Sequence, residues 1–223
     1  MVGYWICDTC GVTTDVTLYC QKLRKSGFLI APILPTCGEC GSEVQRVTRE
    51  PGEHACRVFL LSGPIGSGKT TLAEHLFREL GFHAIDHDCL IDLAAYKHNR
   101  KVEFNGPEVL EALEGNLDLL LGLGKDIVLS LVILPAELDT YRAMLLSRGL
   151  NYRIFFLCPD YRTVLDRTKT RKCFGSVTPE KWVQHFYEET EPFRRLQHDD
   201  VVLVDNREMT IEETVETVLS SFQ

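Results

Sequence analysis

The stretch Cys56–Leu80, CRVFLLSGPIGSGKTTLAEHLFREL, decides how the rest of the chain is interpreted. Four of its residues match the pattern G-x-x-x-x-G-K-[ST]: Gly63, Gly68, Lys69 and Thr70. In this pattern, glycines let the backbone turn so that successive N–H groups surround an anion. A chance match in a glycine-rich turn is the alternative. The apolar run before the loop predicts a buried parallel strand, and the leucines spaced four apart after it predict a helix, which favours a true phosphate loop.

The phosphate loop predicts a site for a nucleoside triphosphate, which we take to be ATP. Lys69 would reach the β- and γ-phosphates, and the Thr70 hydroxyl is the expected Mg²⁺ ligand. Because a helix begins at the loop, its N-terminal dipole would add to the attraction for phosphate. The predicted nucleotide-binding residues of the loop are contiguous: Gly63, Pro64, Ile65, Gly66, Ser67, Gly68, Lys69, Thr70 and Thr71.

Length and composition limit the class of protein. The 223 residues suit a medium domain preceded by a small one. The net charge of −8 disfavours a surface made mainly for gripping nucleic acid, although a local basic groove remains compatible with it. The sequence shows no leader peptide and no apolar run long enough to span a membrane. Because the nine cysteines are also an odd number, we expect a cytoplasmic protein without disulfides and without a membrane partner.

The first 50 residues contain two CxxCG motifs, and their thiols are Cys7, Cys10, Cys37 and Cys40. Two such pairs can complete a tetrahedral Cys₄ site, which is structural when closed, so we predict Zn²⁺ there. A redox dithiol and an iron site with the same ligands are the alternatives. The segment resembles the zinc-ribbon family, whose members bind nucleic acid, bind protein or brace a neighbouring domain. We therefore predict a zinc ribbon over 1–50, a linker over 51–55 and a phosphate-loop domain over 56–223.

From Cys56 onward strand and helix patterns alternate, which predicts a parallel α/β domain with five strands. One strand, predicted over His83–Asp88, ends with two acids, and alternation would turn Asp86 and Asp88 to the same side. One could accept a proton from an attacking hydroxyl, and the other could assist Mg²⁺ through water. The alternative is that Asp88 only caps the following helix. The apolar run 127–134 contains no acid, whereas motor and AAA-type ATPases carry an acidic pair after the equivalent strand.

A second cluster of charge is basic. Arg167 and Arg171 are four residues apart, so they project from one face of a predicted helix. Cations there could close over the triphosphate and neutralise the charge that develops during transfer. The alternative is an ordinary solvated helix face.

The region Cys56–Gln223 resembles the small P-loop kinases, which include shikimate and gluconate kinases, chloramphenicol phosphotransferase, polynucleotide kinases and related AAA-33-type proteins. Four segments carry the resemblance: GPIGSGKTT, IDHD, DRTKTR and VDNREMTIEET. It implies a three-layer α/β/α fold with strand order 2-3-1-4-5. It also implies a base at Asp88 or Asp86, lid cations at Arg167 and Arg171, and an adenine loop at Asp205 and Asn206.

Two departures from these kinases stand out. Ser130 occupies the place where many relatives have an aspartate after strand three, and the glycine cluster that holds shikimate is missing, so shikimate is not the expected acceptor. Polar residues offer groups for an anionic or polyhydroxyl acceptor: Lys97, His98, Arg100, Lys101, Asn105, Tyr141 and Arg142.

The sequence therefore predicts an ATP- and Mg²⁺-dependent kinase that phosphorylates a hydroxyl of a small molecule or nucleotide. One alternative is a polynucleotide or RNA 5′-hydroxyl kinase whose ribbon grips nucleic acid. The other is a nucleotide-switched binding protein without catalytic activity, in which the ribbon carries the partner surface.

Overall fold

The computed structural model describes residues 4–7, 13–15, 44–47, 56–121, 125–170, 172–173, 176–195 and 198–222. Near the N-terminus three short strands form an antiparallel sheet in the order β2-β1-β3. They are β1 (Tyr4–Cys7), β2 (Thr13–Asp15) and β3 (Val44–Val47). In the register of the sheet, Trp5 pairs with Thr14 on one side and with Arg46 on the other.

The predicted zinc site lies outside the described residues. Cys7 ends β1, where only the backbone is described, and Cys10, Cys37 and Cys40 lie beyond the described ranges. The limits proposed for the ribbon, the linker and the phosphate-loop domain stay a prediction as well.

The rest of the chain alternates strands and helices. The strands are β4 (Arg57–Ser62), β5 (His83–Asp86), β6 (Ile127–Ser130), β7 (Asn151–Leu157), β8 (Lys172–Cys173), β9 (Ser176–Val177) and β10 (Val201–Val204). The helices are α1 (Lys69–Leu80), α2 (His87–His98), α3 (Pro107–Leu121), α4 (Leu138–Ser147), α5 (Tyr161–Thr170), α6 (Glu180–Thr190) and α7 (Ile211–Ser220). One 3₁₀ segment, Pro135–Glu137, precedes α4, and a second, Glu191–Arg195, follows α6.

By its contacts the chain divides into two compact units, Met1–Cys56 with His87–Ile127 and Arg57–Asp86 with Val128–Gln223. The second unit is built on a five-stranded parallel sheet in the order β5-β6-β4-β7-β10. Counted from the phosphate loop, this is the order 2-3-1-4-5, so the predicted fold is confirmed. The first strand, β4, therefore lies in the centre of the sheet and carries the phosphate loop at its carboxyl end.

The core of the second unit explains the near-continuous apolar strands. Successive side chains of a strand face opposite sides of the sheet, and Phe155 and Phe156 of β7 show this directly. The ring of Phe155 stacks on Phe59 at 5.8 Å between centroids. Their cluster also includes residues of α1 and α7. Phe156 stacks on Phe193 at 4.6 Å. Strands buried on both faces need apolar residues at every position, which is what the sequence provides.

The first unit contains the paired helices α2 and α3. His87 begins α2, is buried, and shares a hydrogen bond of 2.9 Å between its Nε2 and the carbonyl oxygen of Phe104. Three residues suggested as acceptor groups instead lie beside carboxylates of α3: Lys97 and His98 beside Glu111, and Arg100 beside Glu108. The polar character of this segment is thus at least partly explained by pairs within the unit.

Several element bounds differ from the sequence predictions. The strand expected over His83–Asp88 ends at Asp86, and Asp88 lies in the first turn of α2, where a carboxylate complements the helix dipole. After α5 the short strands β8 and β9 form an antiparallel pair, which the five predicted strands did not include. The last helix begins with a capping box, in which Thr210 Oγ1 accepts from the Glu213 N–H at 3.2 Å.

Arg142, suggested as an acceptor group, has a structural contact at the amino ends of the strands. Its Nε and Nη2 donate to both carboxylate oxygens of Asp200, at 2.7 and 2.6 Å, just before β10 begins. The Tyr152 hydroxyl, near the start of β7, donates to the same carboxylate at 3.3 Å. The phosphate loop leaves the opposite, carboxyl end of the sheet. These contacts place Arg142 away from the phosphate loop and favour a role in stability.

We expect Arg142→Ala to lower the free energy of unfolding by about 2 kcal/mol, because it removes a bidentate, charge-assisted pair. Burial alone would raise the pKa of Asp200, but the hydrogen bond and the charge of Arg142 outweigh it and hold that pKa below its usual value. A carboxyl group whose pKa is lower in the folded than in the unfolded state stabilises the folded protein at pH values above the ordinary aspartate pKa. This stabilisation is lost as the pH falls through the folded-state pKa. In urea unfolding, the difference in the free energy of unfolding between wild type and variant should therefore become smaller as the pH is lowered from about 5.

Asp139 supplies the matched control for this prediction. It also contacts Arg142, at 3.2 Å, but its side chain is 94% exposed, against 27% for Asp200. Exposed pairs contribute little, so Asp139→Asn should leave unfolding nearly unchanged. Equal losses for Asp139→Asn and Asp200→Asn would contradict the assignment.

Candidate functional site

The phosphate loop has the backbone that the glycine pattern predicts. Gly63, Gly66 and Gly68 adopt φ values of 136°, 86° and 103°, in the region that side chains rarely enter. Two of them also have no room for a side chain. A Cβ on Gly63 would lie 2.4 Å from the Leu157 carbonyl oxygen, and one on Gly66 would lie 2.9 Å from the carbonyl oxygen of Val164. The loop is therefore packed between the end of β7 and α5.

Lys69 lies inside the loop, as its position in the pattern predicts. Its side chain is buried, and its Nζ donates to the carbonyl oxygens of Gly63 and Pro64 at 2.8 and 2.9 Å. A third contact, to Ser67 Oγ, is 3.4 Å long. An ammonium has three protons to donate, so an arriving phosphate oxygen must replace one of these partners. The lysine thus shapes the loop before it can contact phosphate.

Two hydroxyls meet one carboxylate oxygen beside the loop. Thr70, the second residue of α1, donates from Oγ1 to Oδ2 of Asp86 at 3.0 Å. Ser130, the last residue of β6, donates from Oγ to the same Oδ2 at 3.1 Å. Because β6 lies next to β5 in the sheet, their carboxyl ends bring Ser130 and Asp86 together. Hydroxyl and carboxylate oxygens are the donors that Mg²⁺ prefers, so these residues fit the predicted cation.

Arg167 and Asn206 contact the same backbone atom of the loop. Arg167 Nη1 donates to the carbonyl oxygen of Ser67 at 3.2 Å, and Asn206 Nδ2 donates to it at 2.9 Å. Arg167 Nη2 also donates to the backbone oxygen of Asn206 at 2.9 Å. The arginine predicted as a lid cation and one residue of the predicted adenine loop are thus held at the phosphate loop.

Of the remaining predicted site residues, two are exposed, one belongs to the other unit, and one lies outside the described residues. Asp205 is exposed and pairs with Arg207 at 3.0 Å. Thr71 is exposed on α1. Asp88 belongs to the first turn of α2 in the other unit, so the argument from strand alternation does not apply to it. Arg171 lies outside the described residues.

Ser130 is the site residue whose contact the sequence did not reveal. In the sequence, Ser130 stands out only as a departure from the pattern of related kinases. Ser130 and Asp86 are 44 residues apart in sequence, and the contact requires β5 and β6 to be neighbours. The predicted strand order already implied that neighbourhood, so a search for polar residues at the ends of β5 and β6 could have found the pair.

In the part of the chain that the structure describes, no helix combines the length and the apolar composition that a membrane span requires. Among the same residues, no group of three or more histidine, cysteine or acidic side chains forms a metal site. Mg²⁺ that binds together with a nucleotide is usually held by one or two protein oxygens and by phosphate oxygens, so a site for it does not require a group of three such side chains.

Two curated relatives are kinases. The chain is 28% identical over 172 residues to a shikimate kinase of Caldanaerobacter subterraneus subsp. tengcongensis, which covers 74% of this chain and 95% of that protein. It is 41% identical over 63 residues to a cytidylate kinase of Pseudomonas putida, and this match spans only 28% of each protein.

Comparison with solved structures and family models agrees with the fold. A gluconokinase from Sinorhizobium meliloti superposes with a TM-score of 0.54 at 20% identity, over 74% of this chain and 90% of that one. A family model described as AAA domain matches residues 58–192, more than half of the chain. The matched region includes the phosphate loop and runs through α6. The chain therefore belongs to the AAA domain family and has the fold of the P-loop kinases.

Proposed function

We propose that this protein is an ATP- and Mg²⁺-dependent kinase that transfers the γ-phosphoryl group to a hydroxyl of a small molecule or nucleotide. The observation that carries the proposal is the contact between Thr70 and Asp86, which joins the phosphate loop to a carboxylate at the end of the neighbouring strand β5. The kinase names of the curated relatives support the reaction class. Shikimate and cytidylate are acceptors of those proteins, and the acceptor of this chain is left at the level of a hydroxyl compound.

The residues have separable roles in this proposal. The backbone of the loop and Lys69 bind the β- and γ-phosphates, and Thr70 with Asp86 would hold Mg²⁺. When bound, Mg²⁺ neutralises charge on the phosphates. Arg167 already contacts the loop and would add positive charge beside the phosphates; Arg171 would act with it as a second lid cation. Asp205 and Asn206 would flank the adenine.

We assign the proton acceptor to Asp88. Oδ2 of Asp86 already accepts from two hydroxyls, which suits it to orient Thr70. In the transfer, the acceptor oxygen forms a bond to the γ-phosphorus while the bond from that phosphorus to the bridging oxygen of ADP breaks. The hydroxyl proton passes to the carboxylate of Asp88. The protein contributes mainly position and charge neutralisation.

The N-terminal segment would carry a structural Zn²⁺ bound by Cys7, Cys10, Cys37 and Cys40. The spacing of the two CxxCG motifs supports this site, and the antiparallel sheet β2-β1-β3 is compatible with a ribbon. Metal analysis of the purified protein distinguishes zinc, iron and an unmetallated dithiol. The segment would serve as a docking surface for a nucleic acid or protein partner, or as a brace, in a cytoplasmic protein.

The test is ATP turnover by the metal-loaded full chain with pooled acceptors. The pools contain polyols, nucleosides and nucleotides, antibiotics, and 5′-hydroxyl oligonucleotides. One small-molecule pool should raise ADP release many-fold. Asp88→Asn should reduce that turnover about 10²- to 10⁴-fold and leave ATP affinity nearly unchanged, since the residue acts on the proton.

Asp118→Asn is the control, because Asp118 is an exposed acid on α3 of the same unit. Its turnover should equal that of the wild type. Stimulation by oligonucleotides alone would replace the proposal with a polynucleotide kinase. Tight ATP binding with a turnover that no pool raises and that Asp88→Asn does not change would instead favour a nucleotide-switched binding protein.

A further inference from the structure

The strand β6 ends beside the candidate Mg²⁺ site with a hydroxyl and not with an acid. Its sequence is Ile127–Ser130, IVLS, and the residues that follow, 131–134, are apolar. Ser130 is buried. A buried hydroxyl needs a hydrogen-bond partner, and Ser130 finds it in the Asp86 carboxylate at 3.1 Å.

The two hydroxyls that meet Asp86 come from different elements. Thr70 belongs to α1, which follows the phosphate loop, and Ser130 belongs to β6. Both donate to Oδ2, and donors from two directions fix the orientation of a carboxylate more tightly than one. A hydroxyl that donates its proton to Asp86 also keeps its oxygen lone pairs for another partner. The orientation of Asp86 therefore decides which way the lone pairs of Thr70 point.

We propose that Ser130 is a positioning residue for the magnesium–nucleotide complex: it holds Asp86 so that Asp86 in turn orients the Thr70 hydroxyl toward the cation. This rests on the proposed function, because it gives a role to the same Mg²⁺. Ser130 itself touches neither nucleotide nor acceptor in this role. Ser130 acts through Asp86 and Thr70, and it changes how strongly Mg²⁺ increases the affinity for the nucleotide.

The experiment measures ATP binding by titration calorimetry at a series of free Mg²⁺ concentrations, without any acceptor. Mg²⁺ is expected to increase the affinity for ATP. Ser130→Ala should raise, about tenfold, the free Mg²⁺ concentration at which half of this increase is reached, as expected for loss of a group that orients a metal ligand. The affinity for ATP without Mg²⁺ should not change. Ser130→Thr, which keeps the hydroxyl, should restore the wild-type dependence on Mg²⁺.

Ser62→Ala is the matched control. Ser62 ends β4 at the same edge of the sheet, is buried, and bonds through Oγ to the backbone of Ile133, accepting from its N–H at 3.3 Å. Its loss removes one buried hydroxyl without touching Asp86, so the dependence on Mg²⁺ should stay that of the wild type. An equal shift in Ser62→Ala would overturn the proposal, and so would an unshifted Ser130→Ala.

If Ser130→Ala fails to fold, Ser130→Cys provides the same test, because a thiol fits the space and donates only weakly. It should shift the Mg²⁺ dependence in the same direction by a smaller factor, and no shift would overturn the proposal. Failure of the kinase proposal would look different. In that case the Mg²⁺ dependence of ATP binding would respond to Ser130 as described, while no acceptor raised turnover.

Discussion

Lys69→Met should reduce ATP turnover about 10³-fold, since it removes a positive charge placed where charge develops on the phosphates. It should also weaken ATP binding, because Nζ holds the carbonyl oxygens of Gly63 and Pro64. Without the ammonium, both carbonyls lose this donor, and the Pro64 oxygen keeps the N–H of Ser67 at 3.1 Å. The loop then loses both its contact with phosphate and an internal brace. Steady-state kinetics and titration calorimetry measure the two effects separately.

The control is Lys181→Met, the same substitution at an exposed lysine of α6. Its turnover and ATP affinity should match those of the wild type. The thermal unfolding of Lys69→Met shows whether the hydrogen bonds from Nζ to the loop stabilise the protein in the absence of nucleotide. Full turnover in Lys69→Met would contradict the assignment of the loop as the phosphate site.

Gly63→Ala should lower the free energy of unfolding by about 3 kcal/mol or more and abolish nucleotide binding. The added Cβ would meet the carbonyl oxygen of Leu157, a backbone atom, at 2.4 Å. The backbone of Leu157 cannot give way easily, because β7 lies between β4 and β10 in the sheet. The loop itself must then move, and its N–H groups leave the positions from which they would surround phosphate.

Gly81→Ala separates this clash from the cost of the backbone conformation alone. Gly81 follows Leu80 as the C-terminal cap of α1 with a φ of 71°, and a Cβ there would meet nothing within 4 Å. The substitution should cost about 1 kcal/mol, the strain of a left-handed residue, and leave ATP binding intact. Chemical unfolding and calorimetry of both variants provide the comparison. Equal losses of stability, or intact ATP binding in Gly63→Ala, would show that the close approach to Leu157 is unimportant.

Local patterns in the sequence were enough to predict most strands and helices of the second unit. The phosphate loop, the apolar strands and the capping box at Thr210 each depend on residues close together in the chain, and periodicity reveals such features. The strand order came from the resemblance to P-loop kinases and is confirmed. The end of β5 was predicted wrongly, because residues 83–88 contain no glycine or proline that would mark the end of the strand before the helix that begins at His87.

The candidate site depends on contacts that local patterns cannot show. Ser130 meets Asp86 across 44 residues, Arg167 meets Ser67 across 100, and Asn206 meets Ser67 across 139. The sequence alone determined that a phosphate loop begins α1 and that acids follow the next strand, since both are encoded within a few residues. Only the tertiary structure decided which hydroxyls hold Asp86 and which side chains bond to the loop. The reason is that parallel strands are joined through helices, so that neighbours at one edge of a sheet are distant along the chain.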